Sequence, residues 1–179
     1  MALITKLDII EFWPLSINMD DLRITPYIIR AEQNQLSALL TPELYFALSE
    51  ATIVPGDRFD KLFNGTTYIE NSPYERFYPG VRQLLVAYVY SMVAANNALF
   101  VTRGGNTRKI DENSENATNQ DNASLSAQAY SEAIRLEGEF YRFMARQSNE
   151  YKEWRGGHPA KSSAFNFFNA SRGSNRYEF

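Results

Sequence analysis

The segment from Val81 to Phe100, VRQLLVAYVYSMVAANNALF, constrains the fold more than any other part of the chain. Val81, Leu84, Leu85, Tyr88, Met92, Ala95 and Leu99 recur at the spacing of one helix face, and Val89, Val93 and Phe100 widen that face. A helix this apolar is buried on more than one side, so it forms the centre of a packed unit. Pro79-Gly80 opens it, and Gly104-Gly105 reads as its stop.

The remaining pattern supplies what covers it. A second long helix is expected from about Ala123 to Tyr151, with Leu125, Ala129, Ala133, Leu136, Phe140, Phe143, Met144 and Gln147 on its inner face. Glu132–Arg135 and Glu139–Arg142 are spaced as surface ion pairs on that helix. The polar segment Asn106 to Asn122 between the two long helices reads as a mobile loop, and helices so joined pack antiparallel.

Upstream, Thr5 caps a short helix to Trp13, with Asp8 as its capping-box partner. Pro14 ends that helix, and Leu15 to Ile24 is expected to be extended or looped. Thr25-Pro26 is a hydroxyl cap followed by proline at the first helical position, and starts a helix to about Leu40. Ile29, Leu36 and Leu40 form its face, with Ile28 and Leu39 beside it and Arg30, Glu32 and Gln35 polar. Thr41-Pro42 repeats the start signal, and Leu44, Ala47, Leu48 and Ala51 complete a helical hairpin. Val54 to Gly80 reads as irregular, with a short strand at Thr66 to Ile69 and Asn64-Gly65 as a hairpin turn. The fold class is therefore mainly α: a helical bundle with two long antiparallel helices, a short N-terminal helical hairpin, long loops and an extended C-terminal arm.

The arm begins after Trp154, so the expected division is a helical domain over 1–154 and an arm over 155–179. Arg155-Gly156-Gly157-His158-Pro159 breaks the helical pattern, and Phe165, Phe167, Phe168, Tyr177 and Phe179 follow among small polar residues. This stretch is too polar for its own core and too aromatic for an indifferent linker, which suits a segment that orders on a partner. A disordered end, or a tail folded back on its own subunit, is the alternative.

Several chemistries find no support. The chain has no Cys, which excludes disulfides, thiol catalysis and Cys-ligated metals. Its single histidine, His158, sits in a Gly- and Pro-flanked loop, so neither a Ser-His-Asp set nor an imidazole metal site is expected. Gly104-Gly105 follows a helix, whereas a phosphate-binding fingerprint follows a strand. Asp20-Asp21 and Asp111-Glu112 lack the spaced ligands of a calcium loop. No cofactor is expected and no enzymatic activity is assigned. A net charge of −3 argues against a dedicated nucleic-acid binder. No run approaches the roughly 18 uninterrupted apolar residues of a membrane span. The opening MALITKLDIIEFWPLS lacks the pattern of a signal peptide.

The order of segments does resemble a known family. IRAEQNQLSALLTPELYFAL, with Ala31, Glu32, Leu36, Leu40, Leu44 and Tyr45, is similar to the opening helical hairpin of small head-to-tail connector proteins of tailed phages. FNGTTY (Phe63 to Tyr68), YPGVRQLLVAYVYS (Tyr78 to Ser91), VTRGGNTRKIDENSE (Val101 to Glu115) and the helix ending in YKEW (Tyr151 to Trp154) follow in the family's order. The combination looks like the connector, or adaptor, ring proteins of phages of gut bacteria, including crAss-like phages. Thr41-Pro42 stands where the family often has Leu-Gly, and it still makes a sound turn.

The resemblance covers roughly residues 1–154. It implies a structural virion protein at the head–tail interface, made in the host cytoplasm. A homo-oligomeric ring, commonly twelvefold, would sit beneath the portal protein, join capsid to tail proteins, and let DNA pass without specific binding. It also implies that the segment 54–80, through Phe59, Phe63 and Tyr68, and the arm, through Phe165, Phe167, Phe168 and Tyr177, reach the portal or a neighbouring subunit. The alternatives are a small helical hydrolase with converging carboxylates and a cellular helical adaptor protein.

Overall fold

The computed structural model describes residues 2–15, 19–71, 73–96, 100–102, 105–107 and 119–154. The described fold is mainly α, and its centre is α6 (Val81–Asn96), in which every residue from Leu84 to Ser91 is buried. The other long helix, α7 (Asn119–Arg146), lies along it. The two run antiparallel: Ser126 donates to the Ser91 carbonyl, the Tyr130 ring sits near Tyr88, and Phe143 reaches Tyr78 just before α6. On α7, Ala129, Ala133, Leu136, Phe140, Phe143 and Met144 are buried, as their spacing predicts.

The N-terminal elements cover α6 from another side. Helix α1 (Lys6–Phe12) has the expected capping box, with the Thr5 N–H donating to Asp8 Oδ2 at 2.6 Å. Arg82 of α6 holds α1 by donating to Asp8 at 2.7 Å and to Glu11, and Trp13 stacks on Tyr90 with ring centroids 4.8 Å apart. Helix α2 (Asp21–Ala31) begins four residues before Thr25. The reason is Asp20, whose carboxylate accepts the Leu22 N–H at 3.0 Å and caps the helix there. Thr25-Pro26 therefore lies inside the helix, where the Thr25 hydroxyl donates to the Asp21 carbonyl at 2.8 Å.

The helix continues through a π-helical stretch, Glu32–Leu36, into the short α3 (Ser37–Leu39). The Ser37 N–H donates to the Glu32 carbonyl five residues back. This one-residue excess rotates the helix face. Glu32, expected on the polar side, is buried, whereas Ile29, expected on the core face, is exposed. Helix α4 (Pro42–Glu50) starts at the Thr41 cap as read, and buries Leu44 and Leu48.

The segment 54–80 is not irregular. Asp57 caps α5 (Arg58–Asn64) by accepting the Asp60 N–H at 2.6 Å, and α5 buries Leu62 and Phe63. The strands β1 (Thr66–Asn71) and β2 (Tyr74–Tyr78) then form an antiparallel hairpin. Asn64-Gly65 is the exit from α5, so the hairpin turn falls instead between Asn71 and Tyr74. The stop of α6 also differs. The helix ends at Asn96, and β3 (Phe100–Thr102) and β4 (Gly105–Thr107) pair antiparallel, so Gly105 is in a strand and does not cap a helix. Asn106 and Thr107, read as loop, belong to β4. Helix α7 runs earlier than expected at both ends. Tyr151 follows it in a turn, where its N–H donates to the Gln147 carbonyl at 3.1 Å. The expected arm, 155–179, lies outside the described residues.

Candidate functional site

The hairpin has two unlike faces. On the inner face Tyr78 stacks on Phe143 with centroids 4.2 Å apart, and Tyr68 meets the same ring edge-on at 5.4 Å. Arg76, opposite Tyr68, sends its guanidinium fork to both carboxylate oxygens of Glu139 on α7, each at 2.8 Å, and a third contact to Glu70 at 3.1 Å. This bidentate geometry fixes the hairpin on α7. The outer face carries Thr67 opposite Phe77 and Ile69 opposite Glu75, all exposed. Ile69 is 63% and Phe77 64% exposed, and Tyr74, at the tip, is 73% exposed. Among the described residues, the hairpin makes no backbone hydrogen bond beyond its own pairing. Open edges beside an apolar face are features that proteins ordinarily cover or blunt.

A second exposed apolar stripe lies on α2. Leu22, Pro26 and Ile29, four and seven residues along one helix face, all point away from the core. Helix α2 packs on α1 and α6, whereas the hairpin packs on α7, so the two surfaces belong to different sides of the long helix pair.

The residues expected to reach a partner fall differently. Phe63 and Tyr68 are buried in the subunit's own core, and Phe59 is half-buried beneath the Arg58 guanidinium, 4.5 Å from its ring centroid. Beyond the exposed Val54 at its start, the segment's exposed large apolar groups are instead Ile69, Tyr74 and Phe77 on the hairpin. Sequence reasoning missed them because it did not find β2, and only the register reveals that Ile69 and Phe77 share a face. Phe165, Phe167, Phe168 and Tyr177 lie outside the described residues.

Charged groups in the described fold act mainly as ties between elements. Arg58 makes a bidentate pair with Glu153 at 2.7 and 3.1 Å, joining α5 to the chain after α7. Burial pushes Asp8 up, but the Thr5 N–H and hydroxyl together with Arg82 outweigh it and hold the carboxyl below its usual range. Arg76 likewise holds Glu139 low. Two carboxyls go the other way. Burial raises Glu32, although it accepts the Leu3 N–H at 2.6 Å, and burial raises Glu137, which accepts the Tyr88 hydroxyl.

Neither raised carboxyl lines either of two surface grooves among the described residues. One surface cleft of about 320 Å³ lies between Phe12, Trp13, Gln83, Ala87, Gln128, Glu132 and Leu136, and an open groove of about 490 Å³ runs along α7 from Ser124 to Arg135. No cluster of metal-ligating side chains occurs among the described residues.

A raised acid in the fold has a definite pH consequence. Between the ordinary Glu value and the raised one, the folded state binds more protons than the unfolded state, so stability falls as pH rises through that window. Glu32→Gln keeps an oxygen to accept the Leu3 N–H and removes the charge. It is expected to flatten that part of the Tm-against-pH curve and to leave the protein at least as stable at pH 7. A variant with the parent's slope above the ordinary Glu range would overturn the assignment.

These features define a helical scaffold on which a hairpin and one outer helix each carry several exposed apolar groups. Residues 36–164 match the family of unknown function DUF6712, and the chain belongs to that family. No curated protein and no solved structure matches it.

Proposed function

We propose that this protein is a structural virion component, a head-to-tail connector that forms a ring beneath the portal and lets DNA pass. The observation that carries the reading is the pair of separate apolar surfaces, the α2 stripe and the hairpin's outer face. A closed ring needs two different patches on each subunit, each meeting the other on a neighbour. The resemblance of the segment order to phage connectors supplies the setting, and the net charge of −3 suits a channel that does not grip DNA. No described helix is long and apolar enough to cross a membrane, which is consistent with a place in the virion neck.

The test is electron microscopy of the protein mixed with its cognate portal. Rings, or density on the portal's tail-facing end, are expected. A protein that stays monomeric and never binds the portal would overturn the proposal. In the same assay, deleting residues 160–179 should abolish attachment and leave the helical circular-dichroism signal intact. Unchanged attachment would remove the arm, with Phe165, Phe167, Phe168 and Tyr177, from the binding surface.

A further inference from the structure

We infer that the C-terminal arm of a second copy of this chain is laid along an open edge of the β1–β2 pair, where it widens the hairpin's outer face. The inference deepens the connector reading and rests on it for the ring setting. Three observations carry it.

The first is the edge itself. A two-stranded hairpin is marginal alone, and here one face is secured by Phe143 and Glu139 while the edge N–H and C=O groups have no backbone partner among the described residues. An added strand would satisfy them by main-chain hydrogen bonds, and side-chain pockets at alternate positions would give specificity.

The second is charge. From residue 155 the chain carries Arg155, Lys161, Arg172 and Arg176 against Glu178 alone, a surplus of three positive charges. The whole chain is −3, so residues 1–154 carry −6. The arm and the body attract. On the hairpin's outer face Glu75 is exposed and makes no ion pair among the described residues, and it lies directly opposite Ile69.

The third is pattern and reach. Read as an extended segment, Ala164-Phe165-Asn166-Phe167-Phe168-Asn169 puts Phe165 and Phe167 on one side, so that an added strand can continue the outer apolar face that Ile69 provides on β1 and Phe77 on β2. The chain leaves the body at Trp154, ten residues before Ala164. Ten extended residues span at most about 35 Å, which sets the reach of the arm from its own body.

The absence of cysteine makes a direct test clean. Two full-length single-cysteine variants, Thr67→Cys and Asn169→Cys, on the side shared by Phe165 and Phe167, are mixed and oxidised, so any mixed disulfide joins two copies. Docking raises the local concentration of the pair, and the mixed disulfide is expected to form about tenfold faster than between Asn169→Cys and Glu43→Cys on α4. High salt should slow it by screening. A rate equal to the control pair would overturn the inference. So would fast closure within one chain of a Thr67→Cys/Asn169→Cys double variant at high dilution, which would place the arm on its own hairpin. Loss of portal attachment on arm deletion, without the mixed disulfide, would place the arm on the portal. A mixed disulfide in a protein that never binds the portal would keep the arm contact and overturn the connector reading.

Discussion

Gly65→Ala is expected to cost on the order of 3 kcal/mol, a fall in Tm of roughly 6–12 °C for a chain of this size. The Gly65 backbone has φ +95° and ψ 166°, a region that residues with a Cβ rarely enter. A Cβ there would lie 2.4 Å from the Tyr78 carbonyl oxygen and 2.8 Å from the Pro79 carbonyl carbon. Both are backbone atoms and cannot swing aside. Gly80, at φ +89°, faces the reverse problem: its Cβ would meet the Phe63 carbonyl oxygen at 2.4 Å and the Gly65 nitrogen at 2.6 Å. The exit from α5 and the entry to α6 thus cross in contact, and neither glycine has room for a methyl. Gly80→Ala should cost a similar amount. Gly138→Ala, in α7 with nothing near its added Cβ, should instead stabilise by up to about 1 kcal/mol through helix propensity. Chemical denaturation of the three variants checks the set. Equal midpoints for Gly65→Ala and the parent would show that the crossing is looser than described.

Phe143→Ala is expected to cost about 3–5 kcal/mol, at the upper end for a core truncation. Its ring is the shared surface for Tyr78, Tyr68 and Tyr151, and it is buried to 1% exposure. Removing it leaves a cavity lined by three rings and takes away the apolar floor of the hairpin. The loss should therefore be local as well as global. Amide exchange in Thr66–Asn71 and Tyr74–Tyr78 should accelerate more than exchange in α1 or α2. Phe143→Leu, which retains much of the volume, should lose less than half as much. Uniform acceleration across all elements would mean that the hairpin has no separate dependence on this ring.

The helices were legible where a strong period met a clear cap. The Val81 run, the inner face of α7, the Thr5–Asp8 box and the Thr41-Pro42 start all rest on such local signals. Errors came where competing signals were close in strength. Thr25-Pro26 has the ideal chemistry for a helix start, yet Asp20 captures an earlier N–H and the proline is carried inside. The π stretch cannot be seen in a pattern that assumes one period, so Glu32 and Ile29 exchanged places. The segment 54–80 was rich in turn residues, which hid a seven-residue helix and a hairpin between them. The candidate surface was less legible than the fold. Aromatics were taken as contacts because of their type, but Phe63 and Tyr68 are buried by α5 and α7, and exposure of Phe77 follows from a strand register that no local signal sets.

The end of the body has a mechanical consequence. Trp154 meets the rings of Phe140 and Tyr141, the Glu153 carboxylate is forked onto Arg58, the Glu153 carbonyl accepts the Thr41 hydroxyl at 2.8 Å, and the Tyr151 hydroxyl donates to the Arg58 carbonyl at 2.6 Å. A tension applied to the chain beyond Trp154 therefore loads attachments to α4, α5 and α7 together before it can unwind the end of α7. Force entering through the last residues is shared by three helices, so the point where the chain leaves the body stays in place when that chain is pulled.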